Sequence, residues 1–456
     1  MSETIAARIS AAGVAAVAAV RLSGPRTRHI LGRLFRPRRG QHPLRPWRLH
    51  LGRLIDPGPP EETVDECLAA WMPAPRSYTG EDVAELYLHG GRAVVERALR
   101  LLFACGARPA RPGEFTHRAY LAGKLDLTQA EAVCDIVCAQ TEAAARLAAA
   151  QLAGGLSRRY EAVRDALAEQ LAQTEAAIDF PEEELDVMAP AEAARAIREG
   201  PLAQLERLLA DARAARPLRE GVLLAICGRP NVGKSTLLNA LLGRERALTS
   251  PEPGTTRDFI EESLELDGVP VRLADTAGLR EAAQGIEARG VALAVGRLEA
   301  CDLALAVLDA SETAQPDDHA LAGRLRERPH LCLLNKSDLP ARVSPGEAGR
   351  LFPRALGVVR LSALTGEGVE ELKERLAELL APAEPPEVAP SLRHEEALGR
   401  ARTSALRAAE ALEAGLGAEV VAEELKAALA ALGEISGETA SGEILERIFS
   451  RFCIGK

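Results

Sequence analysis

The residues best suited to chemistry stand in Gly228-Arg229-Pro230-Asn231-Val232-Gly233-Lys234-Ser235, a GxxxxGKS spacing. Glycines in such a loop let backbone N–H groups turn inward on phosphate oxygens, and a following helix adds its positive N-terminal dipole. Asn231, Val232, Gly233, Lys234, Ser235 and Thr236 are therefore candidate phosphate contacts. Lys234 would reach the β- and γ-phosphates and the Ser235 hydroxyl would hold Mg²⁺. Asp275-Thr276-Ala277-Gly278 can supply a carboxylate to a Mg²⁺-bound water and a glycine N–H to the γ-phosphate. Thr256, in Pro253-Gly254-Thr255-Thr256-Arg257-Asp258, can give the metal a second hydroxyl.

A base-selecting group comes later in the chain. In Asn335-Lys336-Ser337-Asp338 the Asp338 carboxylate can accept from guanine N1–H and the exocyclic amine together, a pattern adenine lacks. Ser362-Ala363-Leu364 can hold the base from its other side. Four motifs in this order predict a GTP site. The residue after Asp275-Thr276-Ala277-Gly278 is Leu279, which cannot orient water as a glutamine can. Arg280, Glu281, Gln284 and Glu287 are the nearby polar candidates, and their residue types do not choose between catalysis and a solvated loop.

These groups need strands to carry them. Val222–Cys227, Val271–Ala274, Leu303–Leu308 and Leu331–Leu334 are continuous apolar runs, the pattern of a parallel sheet buried on both faces by crossover helices. Residues 1–122 mix short apolar runs with Gly/Pro punctuation, which predicts an α+β domain. Residues 123–218 are Ala/Leu/Glu/Arg-rich and read as helices, broken at Asp179-Phe180-Pro181. A Pro-rich linker, Ala381–Pro386, precedes a last helical stretch from about Ser391 to Phe452, within a second helical part at 382–456. Because helical sequence flanks residues 219–381, the fold class expected is multidomain α+β and α/β. It comprises an N-terminal α+β domain, a helical domain and an inserted Ras-like domain with a parallel-rich sheet. Two separate helical domains are the alternative.

The bulk composition sets limits. The chain has 456 residues, 47% hydrophobic and 27% charged, with no apolar run long enough to span a membrane and no leader pattern at its start. Eight scattered cysteines, without a CxxC pair, predict a reduced, cytoplasmic setting, and Cys134 and Cys138 read as helix packing. The net charge of −10 argues against wrapping the whole molecule in nucleic acid. From Arg21 to Arg53, however, ten Arg stand without Asp or Glu, either a solvated surface or an RNA-facing one. With only 3% aromatic residues, base stacking cannot dominate an RNA contact.

Beyond the nucleotide motifs, including GRPNVGKSTLLNALLG, the chain carries YTGEDVAELYLHGG (Tyr78–Gly91) and RPGEFTHRAYLAGKLDLTQAEAV (Arg111–Val133). It also carries AAIDFPEEE (Ala176–Glu184), LREG (Leu218–Gly221) and FCIGK (Phe452–Lys456). In these it resembles the MnmE (TrmE) family of tRNA modification GTPases, within the TrmE-Era-EngA-YihA-Septin-like group, over nearly its whole length. The resemblance implies an N-terminal folate-binding domain that dimerises, a helical domain and an inserted G domain. It implies a homodimer that, in a heterotetramer with FAD-dependent MnmG (GidA), builds an aminomethyl-type group on the wobble uridine (U34) of certain tRNAs. The one-carbon unit would come from 5-formyl- or methylene-tetrahydrofolate, and GTP turnover would depend on K⁺.

Residue by residue, the resemblance implies K⁺ ligation by Asn231, Ser250, Glu252 and Thr255, with Ser250 and Thr255 also against the nucleotide. Glu287 would be the catalytic residue that orients water. Arg21, Glu85, Lys124 and Lys456 would bind folate, and Cys453 could be a reactive thiol. The chain departs from the family pattern at Ser10–Ala16, where a Gly/Pro-rich turn is expected. A ribosome-assembly GTPase acting as a binding switch, and a scaffold GTPase whose folate site has decayed, are the alternative readings.

Overall fold

Along Ala15–Ser23 the side chains alternate between buried Ala18, Val20, Leu22 and more exposed neighbours, so the segment forms a strand with one face on a core. In this computed structural model, residues 3–39, 44–179, 188–243, 262–275, 300–382, 384 and 386–456 are described. The chain divides into two units, one made of Met1–Val137, Ala148–Leu209 and Leu392–Lys456, the other of Cys138–Leu147 and Ala210–Ser391. The second is thus inserted in the chain order of the first.

The first unit begins with β1 (Ile5–Arg8), β2 (Ala15–Ser23), α1 (Thr27–Leu34), β3 (Phe35–Pro37), β4 (Leu49–Asp56), β5 (Glu62–Met72), β6 (Val83–Gly90), α2 (Arg92–Ala104) and β7 (Arg108–Pro109). The strands make one sheet in the order β3-β4-β5-β6-β2-β1-β7, antiparallel except where β1 meets β7. One face is closed by Ile30, Leu34, Val95 and Leu102 of α1 and α2. On the other, register aligns Leu51, Leu68, Tyr87 and Ala19 in one row and Leu49, Ala70, Glu85 and Arg21 in the next. Val17, Leu49, Leu51 and Leu68 there are exposed. The atypical β1–β2 connection is stapled by Ser10, whose Oγ accepts from Ala19 N–H at 3.2 Å and from Arg8 Nε at 3.1 Å.

Helices follow: α3 (Glu114–Leu121), α4 (Leu127–Cys138), α5 (Glu142–Leu152), α6 (Gly155–Asp179), α7 (Pro190–Ile197) and α8 (Ala203–Glu220). A π-turn at Arg198–Leu202 joins the last two, where Pro201 lacks the N–H that a regular turn would use.

The second unit holds β8 (Val222–Cys227), α9 (Lys234–Leu242), β9 (Glu262–Leu266), β10 (Val269–Asp275), β11 (Leu303–Asp309), α10 (Pro316–Leu325), β12 (His330–Asn335), α11 (Pro345–Leu351), β13 (Val358–Arg360) and α12 (Val369–Leu380). The sheet order is β13-β12-β11-β8-β10-β9, parallel throughout except for the β9–β10 hairpin. All four apolar runs expected as strands are in it, buried between two apolar clusters. The chain moves to one side of β8 for β10 and to the other for β11, so a crevice opens beyond the carboxyl end of β8, where such sheets take ligands.

The first unit resumes with α13 (Leu392–Glu413), α14 (Ala418–Ser436) and α15 (Gly442–Phe449). Ala397, Ala401, Ala405 and Ala408 on α13 are buried, and their small side chains let α14 approach closely. Buried Glu131 of α4 receives Arg393 Nε at 3.0 Å and Nη2 at 3.1 Å, with His394 Nε2 at 2.7 Å. Burial pushes that carboxyl up, but His394 and Arg393 outweigh it and hold it well below the usual carboxylate range.

Candidate nucleotide and N-terminal sites

The phosphate loop leaves β8 at Gly228 and closes at Gly233, which caps α9 with φ +96°. A Cβ at Gly233 would collide with the Asn335 amide, so conformation and space both require glycine. Asn231 sits at φ 64°, a left-handed conformation its short polar side chain tolerates. Lys234, 8% exposed, donates from Nζ to the carbonyls of Gly228 at 3.0 Å and Arg229 at 2.8 Å, folding its ammonium back over the loop. Ser235 and Thr236 are exposed in the first turn of α9.

Asn335 joins this loop to the base-recognition segment. It is 2% exposed, its Nδ2 donates to the Val232 carbonyl at 2.7 Å, and its Oδ1 accepts from Ala363 N–H at 2.9 Å. Lys336 reaches Asp309 Oδ2 at 2.6 Å. Burial raises the Asp309 carboxyl, yet hydrogen bonds from Lys336 and Ser311 prevail and keep it below its ordinary range. Asp338 is exposed on the crevice-side loop, and Ser362 Oγ donates to its Oδ1 at 2.6 Å, which fixes the carboxylate plane. Leu364 is 80% exposed beside buried Ala363. The structure therefore brings Asn231–Thr236 together with Asn335, Lys336, Asp338 and Ser362–Leu364. The backbone of Asp275 pairs in register with Ile226 at the end of β8.

A second cluster lies in the first unit. Arg21 donates to Glu85 Oε1 at 2.8 Å across β2 and β6, and Tyr87 Oη donates to Glu85 Oε2. Burial, then the Glu85 contact and charge, push the Tyr87 phenol up to about 12. The Arg21 guanidinium lies 5.1 Å from the Tyr78 ring centroid and 5.6 Å from that of Phe115. Phe115 N–H donates to the Lys456 carbonyl at 3.1 Å. Ile454 bridges to Pro112, and a Cβ on Gly455 would strike the Arg8 carbonyl, so the chain end lies flat against β1. The α15 face positions it, with Ile448, Phe449 and Phe452 packed on Leu127 and Ala130. Lys124 is exposed, its Cε beside the Gly80 turn. Arg21, Glu85 and the Lys456 backbone thus meet around Tyr78 and Phe115. Cys453 is exposed.

Two family models match this chain. The MnmE helical domain covers residues 127–453, and the GTP-binding protein TrmE N-terminus covers residues 4–124. The tRNA modification GTPase MnmE of Chloroflexus aurantiacus is 44% identical, over the full length of both chains. That of Symbiobacterium thermophilum is 45% identical, over 100% of this chain and 99% of its own. The chain belongs to the MnmE family of tRNA modification GTPases. Among solved structures, the G domain of the T. maritima FeoB iron transporter is similar at 27% identity, with a TM-score of 0.27, over 34% of this chain and 97% of that one.

Several MnmE-type candidates lie outside the described residues: Ser250, Glu252, Thr255, Thr256, Thr276, Ala277, Gly278 and Glu287, together with Leu279 and its polar neighbours. Other contributors went unrecognised in the sequence. Arg229 is anchored by Glu312 at 2.7 Å and Asp318 at 3.5 Å, and Asp309 clasps Lys336. No short motif marks those acids, because they act across the sheet. In the basic stretch, Arg36 pairs with Glu61 and Arg38 with Glu66, so later acids neutralise part of it. Among the described residues no helix is long and apolar enough to cross a membrane.

Proposed function

We propose that this MnmE-family GTP hydrolase acts in tRNA modification by supplying GTP-driven conformational work to a folate-dependent step at the wobble uridine (U34). The Asn335 side chain carries the GTP reading: it ties the phosphate loop to the guanine segment and leaves Asp338 open to a base. GTP and Mg²⁺ fit the residues present, since the α9 N-terminus offers N–H groups beside the Lys234 ammonium and the Ser235 hydroxyl. Bound Mg²⁺ would neutralise phosphate charge in hydrolysis. Asn231 in its left-handed turn supports a K⁺ role shared with Ser250, Glu252 and Thr255, and Glu287 is proposed to orient water.

The tetrahydrofolate site proposed is the Arg21–Glu85 cluster with Lys124 and Lys456, walled by Tyr78 and Phe115. The Arg21 charge is already balanced by Glu85, which leaves the two lysines to meet glutamyl carboxylates. Exposed Leu49, Leu51 and Leu68 lie on the same sheet face and support a homodimer there. An FAD-dependent MnmG partner and a cytoplasmic setting complete the reading, and Cys453 is proposed as an accessible thiol beside the folate site. The test is mass analysis of wobble uridines in cells lacking this protein. The expected result is loss of the C5 substituent; intact modification with an assembly defect in ribosomes would favour a binding switch instead.

A further inference from the structure

A cleft of about 560 Å³ opens between α10 and α11 in the second unit, and its lining includes none of the phosphate-loop or guanine-segment residues. Four arginines rim it, Arg326, Arg342, Arg350 and Arg354, against one glutamate, Glu347. Arg354 is held by Glu327 at 3.0 Å, whereas Arg326 and Arg342 are exposed and make no ion pair among the described residues. Glu347 caps α11 through Ser344 and feels the charge of Arg350, and with a single carboxylate against the arginines the rim stays net positive. Phe352, 2% exposed, supplies an apolar floor.

His330 also lines the cleft and is 1% exposed. Its Nδ1 lies 2.8 Å from the Arg328 carbonyl, which can only accept, so the proton sits on Nδ1. In the neutral ring Nε2 is then an acceptor buried beneath the cleft surface, and among the described residues no donor meets it.

The cleft shares its loops with the nucleotide site. Thr313 and His319 of the lining each follow an acid, Glu312 or Asp318, that anchors Arg229 of the phosphate loop. The backbone N–H groups of Arg342 and Val343 both donate to Ala310, next to the Asp309 that clasps Lys336.

We propose that this cleft is an effector site for a small phosphate ester, read by Arg326, Arg342 and Arg350 and coupled to guanine-nucleotide binding through Glu312 and Asp318. The phosphate meets the guanidinium forks of the rim, over the apolar floor of Phe352. Its coupling is reciprocal: an occupant that shifts the anchoring loop changes nucleotide affinity, and nucleotide changes the occupant's affinity by the same factor. The cleft proposal does not depend on the tRNA reading, only on the guanine-nucleotide site.

The probe is ribose 5-phosphate, titrated calorimetrically into the full chain saturated with GDP and Mg²⁺, so that the phosphate loop is already filled. Saturable one-site binding is expected, weakened at least tenfold in Arg342→Ala/Arg350→Ala. Release of a fluorescent GDP analogue should change at least twofold with probe in the wild type and not in the variant. GTP turnover without probe should match the wild type in the variant, which shows that it folds. Absence of binding, equal binding by both proteins, or displacement of the probe by a short oligoribonucleotide that binds more tightly would each overturn the assignment. In every case GDP affinity reports separately on the nucleotide site.

Discussion

Replacing Asn335 with alanine tests whether one buried amide organises the nucleotide site. The substitution removes two hydrogen bonds, to the Val232 carbonyl at 2.7 Å and from the Ala363 N–H at 2.9 Å. Both partners would be left unpaired in a position where Asn335 itself is 2% exposed. An unsatisfied buried group costs about 1–3 kcal/mol, so two cost about 2–4 kcal/mol once partial hydration is allowed. Bound nucleotide presses on both loops and must restore their spacing, so part of the loss is drawn from binding. A weakening of at least about tenfold corresponds to 1.4 kcal/mol of that loss. The assay is equilibrium titration with a fluorescent GDP analogue, alongside thermal melting with and without GDP. Asn335→Asp separates the two bonds: it keeps the acceptor for Ala363 but opposes an oxygen to the Val232 carbonyl, and should be as damaging. If Asn335→Ala binds GDP within twofold of the wild type, the amide is packing only and the linkage between loops is refuted.

Glu114 gives a pH signature in the first unit. Burial raises its carboxyl, but hydrogen bonds from Arg108, the Arg111 N–H and Arg118 prevail and hold it at about 2, below its ordinary 4.5. A depressed carboxylate stabilises the fold above pH 4.5 and loses that contribution as pH falls toward 2, an effect of about 2 kcal/mol after solvent screening. The melting-temperature gap between wild type and Glu114→Gln should therefore be widest above pH 5 and close toward pH 2; a gap independent of pH would contradict the ion-pair origin. In the nucleotide unit, K⁺ should accelerate GTP turnover over Na⁺, and Glu287→Ala should cut turnover at least about tenfold while sparing GDP affinity. Equal turnover in both salts refutes the K⁺ ligation at Asn231, and unchanged turnover returns Glu287 to a solvated loop.

The parallel sheet was legible because its strands are buried on both faces and so read as unbroken apolar runs, as Val222–Cys227 and Leu303–Asp309 show. The phosphate loop was legible because its constraints are local: Gly233 is required by its own φ and by one neighbour. The sheet of the first unit was less so. Its strands bury one face only, and β3 and β7 are three and two residues long, too short for any period to register. Its order, with β1 between β2 and β7, depends on pairings across about a hundred residues of sequence, for which no local pattern exists.

The same distinction separates the site residues that spacing could find from those it could not. Lys234 and Asp338 sit in motifs because their ligand demands fixed offsets along the chain. Arg229, Glu312 and Asp318 meet, and Asp309 meets Lys336, because β8, β11, β12 and α10 converge at one end of a sheet, and each acid would be just as effective a few residues away on another loop. Long-range anchors of this kind carry no ligand chemistry themselves; they set the spacing of the loops that do. A change at Glu312 should therefore alter how tightly the phosphate loop is held without removing any group that touches GTP. This is why nucleotide affinity can respond to an event in the neighbouring cleft: the loop that anchors Arg229 is the same loop that walls the arginine rim.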